Sequence, residues 1–475
     1  MSLENQNRQR LDLASWRFKP GKLGCLEADA GEIEFKPLTL VCGPNNTGKT
    51  WVMYALYGFL RDFGFVKLPH LDSLAEQLIR EGQVNWDFGA WLNDNANQII
   101  VAIQRATQHR LPSIFRCDPE LVRNGHFDWE IQPNVLIAEG MARSMDFRLE
   151  VGREKNDVLR LVKGTDDTNL NITLLSGQFP DVSLFLSNAI ARHLIGNPPR
   201  RNVFLMPAER NGLHLFYREL ANRRTTLFHH ATKKDKEFDI GKLIQDVVRS
   251  RYAEPIADYI DWLNDLPDIR KKKGPFHELA EKIKQLVGGR YDIDAEGDIT
   301  FTPKKKRGSS DTPPKMDLHL TSSTVKSLFG LWAYLEFDAQ PGDVLMIDEP
   351  ELNLHPSNQR QLARLLARMA NSDLRVVIST HSDYLVREMN SLIMLSNPGT
   401  VQKELMQRFS YSEEEILNPK MVGAWLFCDR RISPMEIDAT EGINAETFDK
   451  EIHSLNETSD DIYYAYQNSE KGADK

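Results

Sequence analysis

The 475 residues suffice for one large composite domain or two ordinary ones, and a 41% hydrophobic content supports a packed core, so a chain disordered throughout is excluded. The formal net charge of −9 argues against a surface built overall for polyanions, and any nucleic-acid contact has to be local. Four cysteines, Cys25, Cys42, Cys117 and Cys428, lie far apart with no CxxC pair, which speaks against a disulfide framework or a zinc knuckle and fits a reducing cytoplasm.

The chain opens with "MSLENQNRQRLDLASW", which lacks the apolar core of a secretory signal, and no run of about eighteen apolar residues follows anywhere. Neither export by that route nor a membrane span is expected. Residues 31–42, "GEIEFKPLTLVC", read as two short strands, with Ile33 and Phe35 alternating with polar neighbours before the buried-type run Leu38, Leu40 and Val41. A glycine-rich turn comes next, and from Gly48 to about Phe63 the residues Val52, Ala55, Leu56, Phe59 and Leu60 recur at helical spacing. Strand, loop and helix in that order form the first half of a βαβ unit.

Residues 64–145 read as mainly helical, whereas "FRLEVGREKNDVLRLVKG" and "NLNITLL" read as strands, as does "RNVFLMPAERNGL" at 201–213. Between 211 and 320 come helical stretches such as "IGKLIQDVVRSRYAEPIADYIDWL", then "GGRYDIDAEGDITFTP", whose alternation about "DAEGD" predicts a β-hairpin. Residues 200–310 hold 23 Lys and Arg against 17 Asp and Glu, a net +6 that leaves −15 for the remainder, so the insertion is the basic part of an acidic chain. After 320 the α/β pattern returns: a helix with Val325, Leu328, Phe329, Trp332 and Leu335, the strand "DVLMID", a helix with Leu362, Leu365, Leu366 and Met369 capped by Ser357, and the strand "RVVIST". No fixed-period repeat or long heptad run occurs, and the tail from about 457 is polar and expected to fray.

The segment "GPNNTGKT" at 43–50 matches G-x-x-x-x-G-K-[S/T] between a strand and a helix, the context in which that pattern has mechanical meaning. Backbone amides of Gly43, Pro44, Asn45, Asn46, Thr47, Gly48, Lys49, Thr50 and Trp51 form the expected phosphate-binding stretch, proline supplying none. The Lys49 ammonium would reach the β- and γ-phosphates and the Thr50 hydroxyl would ligate Mg²⁺. An incidental glycine turn would lack those flanks. The apolar strand before Asp348 and Glu349 delivers two acids to the carboxyl edge of a sheet, where Asp348 would hold Mg²⁺ and Glu349 would act as general base on the attacking water. Solvated acids are the bland alternative, disfavoured by the buried-type strand feeding into them. His381 ends a second such strand and would donate to the γ-phosphate, although a lone histidine is more often structural.

Together these segments resemble the ABC-type ATPases that include the SMC and OLD families, in which a P-loop, an Asp–Glu pair, a D-loop similar to "ELNLHP" and a strand-terminal "THS" occur in this order. The match is close over roughly 31–56 and 320–390, and weaker around "PAER" at 207–210 and the hairpin. The resemblance implies an α/β fold, a P-loop ABC-type ATPase head with a mixed β-sheet and an inserted, mainly helical basic subdomain, with ATP and Mg²⁺ as cofactors. It divides the chain into an N-terminal lobe 1–210, an insertion 211–319, a C-terminal lobe 320–456 and a tail 457–475. In that class ATP is sandwiched between one head's P-loop and a second head's signature segment, which implies a homo-oligomer. The corresponding segment here is "LTSSTVKSLFGL" at 320–331; Ser322, Ser323 and Lys326 depart from the transporter-like Ser-Gly-Gly and resemble the OLD-like variant, and an ordinary serine helix cap is the alternative.

The long coiled coils of SMC proteins are missing, and "TEGI" at 440–443 has no DxD after it, so a built-in Toprim nuclease is not expected. The pattern left resembles stand-alone ATPase subunits of bacterial antiphage systems such as Septu, PARIS and certain retrons, which implies a separately encoded effector, often a nuclease. The alternative is a DNA-repair or DNA-maintenance ATPase that grips nucleic acid itself through "RKKKG" at 270–274 and "KKKRG" at 304–308, runs that read equally as solvated surface. Arg210 reads either as an active-site or interface arginine or as half of a structural salt bridge.

Overall fold

The computed structural model describes residues 17–62, 64–122, 125–130, 132–151, 156–175, 181–195, 203–220, 252–305, 313–444 and 454–465. The first part of the helical stretch expected from 240, and Lys306 and Arg307 of the second basic run, lie outside them.

The strands are β1 (Arg17–Gly21), β2 (Ile33–Glu34), β3 (Leu38–Cys42), β4 (Gln83–Asp87), β5 (His126–Glu130), β6 (Met145–Val151), β7 (Asn156–Lys163), β8 (Asn169–Leu174), β9 (Val203–Met206), β10 (Gly289–Ile293), β11 (Ile299–Pro303), β12 (Met316–Asp317), β13 (Val344–Asp348), β14 (Arg375–Thr380), β15 (Val422–Cys428) and β16 (Arg431–Pro434). The helices used below are α1 (Lys49–Arg61), α2 (Asp72–Glu81), α3 (Phe88–Phe115), α4 (Pro133–Ala142), α5 (Val182–Ile195), α6 over 210–220, α7 (Glu254–Ile269), α8 (His277–Val287), α9 (Ser323–Ala333), α10 (Pro356–Asn371), α11 (Asp383–Met394) and α12 (Thr400–Phe409).

A six-stranded sheet in the order β16-β15-β3-β14-β13-β9 organises the chain. Four of its five pairings are parallel, and at one edge β16 turns back antiparallel on β15. Parallel strands need both faces covered, and because successive side chains alternate, each strand feeds two cores. Met346, Val377, Val41 and Leu205 enter the core shared with α1 and α3, whereas Leu345, Ile347, Ile378, Leu40 and Phe204 enter the core beneath α9, α10 and α11. Continuous apolar runs such as "VLMID" are the sequence form of this two-sided burial.

Strands are present within the stretches expected at 31–42, 147–164, 169–175, 201–213, 343–348 and 375–380, as are the helices beginning at Lys49 and Ser323, although α6 replaces the loop expected at the end of 201–213. A four-stranded antiparallel sheet, β4-β8-β7-β6, packs with α3 and α5 in the first core. The predicted hairpin is β10–β11, to which β12 adds a third strand. Its Tyr291 and Phe301 join Phe329 and Trp332 of α9 in the second core, as do Tyr259 and Leu263 of α7, so the described part of the insertion packs into the body and has no separate core of its own.

One reading changes, and two elements appear that the sequence did not mark. His355, not Ser357, caps α10: its ring accepts the Ser357 amide at 3.3 Å, and Ser357 sits inside the first turn with its hydroxyl 2.9 Å from the same nitrogen. β15, with no motif to mark it, is a fully integrated parallel strand beside β3. Residues 454–465 of the tail form a helix, with Leu455, Ile462 and Tyr463 at helical spacing and every residue exposed.

Leu366 of α10 is fully buried against the sheet. Leu366→Ala is expected to destabilise the fold by about 2–5 kcal/mol, read as a lower urea midpoint, and a loss under about 1 kcal/mol would mean that α10 does not seal this face.

Candidate nucleotide site

Three adjacent parallel strands, β3, β14 and β13, end at one edge and deliver the P-loop, His381 and the Asp348–Glu349 pair to the same place. Gly43, at φ +141°, turns the chain off β3, and a Cβ there would run into the Phe427 carbonyl of β15. Gly48, at φ +98°, starts α1, whose first intrahelical bond is Val52 N–H to Gly48 O at 3.1 Å. The amides of Lys49, Thr50 and Trp51 therefore precede the helical ladder and are free to face an anion. Asn45 and Asn46 lie exposed on the loop, Asn46 in the left-handed region, and Thr47 Oγ1 closes the turn on Pro44 O at 2.9 Å.

Lys49 is 5% exposed and folds over its own loop, its Nζ donating to Gly43 O at 2.9 Å and Pro44 O at 2.7 Å. Burial pulls the ammonium below its ordinary value, and the nearby Glu349 and Asp348 carboxylates oppose that pull. The Trp51 ring packs on Phe115, centroids 4.5 Å apart, and against Gly24, so its part in the site is confined to its amide.

Asp348 is 1% exposed and fully used: Oδ2 accepts from Thr50 Oγ1 at 3.0 Å and Oδ1 accepts from Ser379 Oγ. A hydroxyl and a carboxylate in contact, beside a lysine and free amides, fit Mg²⁺ bound through few protein oxygens, with phosphates and water completing an octahedral shell. No cluster of three or more His, Cys, Asp or Glu with metal-ligand geometry exists among the described residues.

Glu349 takes φ +48°, a left-handed conformation that is rare for a residue with a side chain. Its amide donates to Ser379 O at 3.2 Å and Ser379 Oγ at 3.0 Å. Burial raises its carboxyl above the ordinary glutamate value; His381 opposes this, while Asp348 and Glu351 add to it. His381 is half exposed, with Nδ1 3.6 Å from Glu349 Oε1 and 3.5 Å from Glu351 Oε1.

Glu351 and Ser379 are contributors whose roles the sequence left unread, and Arg210 is one for which it left two readings open. Glu351 is 4% exposed and accepts from Thr380 Oγ1 at 2.7 Å and from the His381 amide at 2.9 Å, while its Oε2 is buried without a hydrogen-bond partner among the described residues. Its signal was a third acid two places after Glu349 in "DEPE". Arg210 is buried and contacts backbone carbonyls at the same turn, and among the described residues no carboxylate forms a salt bridge with it. The structure does not bring the signature residues into this cluster. Ser322 caps α9 by accepting the Val325 amide at 3.3 Å, Ser323 is exposed beside it, and Lys326 is half-buried with its amide on Ser322 O at 3.1 Å.

A P-loop at the end of β3, with paired acids and a histidine at the ends of the neighbouring parallel strands, forms the nucleotide site of a P-loop ATPase and resembles that of ABC-type ATPases of the SMC/OLD-like class. Residues 216–387 match the family described as "AAA domain, putative AbiEii toxin, Type IV TA system", a stretch that contains Asp348, Glu349 and His381 and leaves out the P-loop. An OLD nuclease of Thermus scotoductus is 28% identical over 159 residues, which are 30% of this chain and 30% of that protein, so the chain spans under a third of the length of the curated relative it matches. Similar solved structures include the SMC head domain of Thermotoga maritima, at 10% identity, 89% and 98% coverage of the two chains and a TM-score of 0.30. Another is the Smc head domain of Pyrococcus furiosus bound to the C-terminal domain of ScpA, at 11% identity, 93% and 98% coverage and a TM-score of 0.35. The fold assignment rests on the strand order and motif positions, to which likeness at these scores adds nothing. No helix among the described residues is long and apolar enough to cross a membrane.

Lys49→Ala removes a cation folded into the phosphate cradle, and is expected to abolish ATP binding in a titration calorimeter while leaving the thermal unfolding curve of the apo protein cooperative. Binding at the parent affinity would place the nucleotide elsewhere.

Proposed function

We propose that this chain is the ATP-binding and hydrolysing subunit of a bacterial antiphage complex, that it oligomerises in the cytoplasm, and that it regulates a separately encoded effector of nuclease type. The division of labour is between ATPase lobes at 1–210 and 320–456, an insertion at 211–319 and a tail at 457–475.

The observation that carries this reading is a site divided in two. One head gathers Lys49, Thr50, Asp348, Glu349 and His381 at one sheet edge, whereas Ser322 and Ser323 stand exposed at the start of α9 with no bond to that cluster. Serine hydroxyls and free amides at a helix start suit the γ-phosphate of a nucleotide held by a second copy. In the assembled site Lys49 and the loop amides orient the triphosphate, Glu349 takes a proton from the attacking water, and His381 contacts the γ-phosphate. Mg²⁺, held by Thr50 and Asp348, would supply charge neutralisation on the phosphates. The matched family's description as a toxin of a type IV toxin–antitoxin system supports a two-component setting, and the name OLD nuclease supports an effector that acts on nucleic acid.

A second reading, a DNA-maintenance ATPase that grips nucleic acid directly, is favoured by the exposed Lys272 and Lys273 between α7 and α8. It requires DNA-stimulated hydrolysis that falls steeply with salt.

Glu349→Gln is expected to bind Mg-ATP without turnover and to form a defined oligomer by light scattering, carrying its genomic neighbour when the two are co-expressed. A monomer under every condition would sink the shared site, and hydrolysis at the parent rate would remove Glu349 from the role of base. In the parent, only the ionised carboxylate of Glu349 can accept a proton, and burial holds its pKa up. Turnover is therefore expected to fall on acidification, with a midpoint above the range of free glutamate; a profile flat down to that range would contradict the assignment.

A further inference from the structure

Arg210 opens α6 with its side chain 1% exposed, yet its partners are backbone groups and one hydroxyl. Nη1 donates to Asp348 O at 2.8 Å and Pro207 O at 3.2 Å; Nη2 donates to Glu349 O at 2.7 Å and Ser327 Oγ at 3.3 Å; Nε donates to Ser327 O at 3.4 Å. A guanidinium is the one side chain with a rigid fork of donors wide enough to hold so many acceptors at once. Such a group, buried without a bonded counter-ion, is retained for what it positions.

Two of those acceptors are the consecutive carbonyls of the catalytic turn. Glu349 is left-handed and is followed by Pro350, whose ring pushes the preceding residue towards extended backbone, so this conformation persists only because its surroundings impose it. Arg210 grips that turn from one side while Ser379 holds the Glu349 amide from the other.

The remaining acceptors belong to α9, the helix that begins at the signature serines. Ser327 lies little more than a turn beyond Ser322, and its hydroxyl donates onward to Leu352 O at 2.9 Å, in the loop that follows Glu349. One turn along α6, His214 reinforces the grip: Nδ1 donates to Lys326 O at 2.9 Å and Nε2 accepts from Tyr259 Oη at 2.6 Å. Burial pushes this imidazole down to about 3, so it stays neutral and keeps that donor–acceptor polarity. The helix carrying the signature serines and the turn carrying the base are thus fastened to one element at four consecutive-pair points, Lys326 and Ser327 on one side, Asp348 and Glu349 on the other.

We propose that Arg210 is a positioning residue for ATP hydrolysis, holding Glu349 in its left-handed turn and fixing that turn to α9, so that engagement of the signature serines by a second copy is transmitted to the base. The inference rests on the ATPase reading above. It assigns Arg210 no contact with the nucleotide, and this separates it from a residue that binds phosphate directly.

The test compares parent, Arg210→Lys, Arg210→Ala and Ser327→Ala, measuring ATP affinity by calorimetry and kcat and KM by phosphate release. Arg210→Lys keeps the charge and loses the fork, and is expected to bind ATP within about twofold of the parent while kcat falls about 100-fold, the size of effect that small misplacement of a reacting group produces. Ser327→Ala is expected to lower kcat about tenfold at unchanged ATP affinity, both bonds of its hydroxyl being gone while its backbone carbonyl still accepts from Nε. Millimolar guanidinium is expected to restore part of the lost kcat to Arg210→Ala and to leave the parent unaffected, a response that general destabilisation does not give. An active parent together with Arg210→Lys at the parent rate, or with affinity and kcat falling by the same factor, overturns the inference alone. If the Arg210 variants do not fold, an unchanged kcat in Ser327→Ala overturns it. A parent that fails to hydrolyse ATP removes the ATPase reading itself.

Discussion

The carboxylate of Asp348 is the point on which the site depends. Removing a carboxylate from water is tolerable only when its oxygens are satisfied, and here the satisfaction comes from two other segments: Thr50 at the start of α1 and Ser379 in β14. A single buried acid thereby fixes the relative height of the P-loop helix and two neighbouring strands. The parallel register does the rest, since Asp348 pairs with Ser379 and Thr380 with Cys42, so that the three strand ends arrive level. Lys49, Glu349 and His381 are close because the backbone leaves no alternative once that register is set.

The same edge holds strain. Asn46 and Glu349 are both left-handed, and both lie where the chain leaves a strand to meet the nucleotide. Strain at such positions has to be balanced by surroundings that are themselves rigid. The two-faced sheet supplies this, with Leu345, Met346 and Ile347 locked into opposite cores immediately before the turn, and the buried Glu351 anchors the next segment to Thr380 and His381.

Much of this was legible in the sequence, for identifiable reasons. The strands that end in Cys42, Asp348 and Thr380 announce themselves because both their faces are buried, which leaves unbroken apolar runs that stop at polar residues. What stayed hidden was recognition by backbone. Arg210 was read either as a site arginine or as half of a salt bridge, and both readings look for a side-chain partner, whereas four of its five acceptor contacts are carbonyl oxygens, which every residue carries and no sequence displays. The cap of α10 was misplaced by two residues for a related reason: serine is the commoner cap, and only the ring position of His355 reveals which side chain reaches the amide. The strand β15 escaped notice because "VGAWLFC" has neither motif nor periodic signal to separate it from a buried helix segment.

That unannounced strand bears on how the protein comes into being. The floor beneath Gly43 is the carbonyl of Phe427, so the phosphate-binding loop leans on a strand that follows it only after several intervening elements. During synthesis the ribosome must release the chain as far as β15 before that floor exists, and until then β3 has one edge with no neighbour on the β15 side. Closing so long a loop is slow relative to local helix formation, which leaves an apolar parallel strand exposed in the meantime. The support beneath the P-loop is therefore completed only after β13, β14 and β15 have all been made, although the P-loop sequence itself emerges long before them.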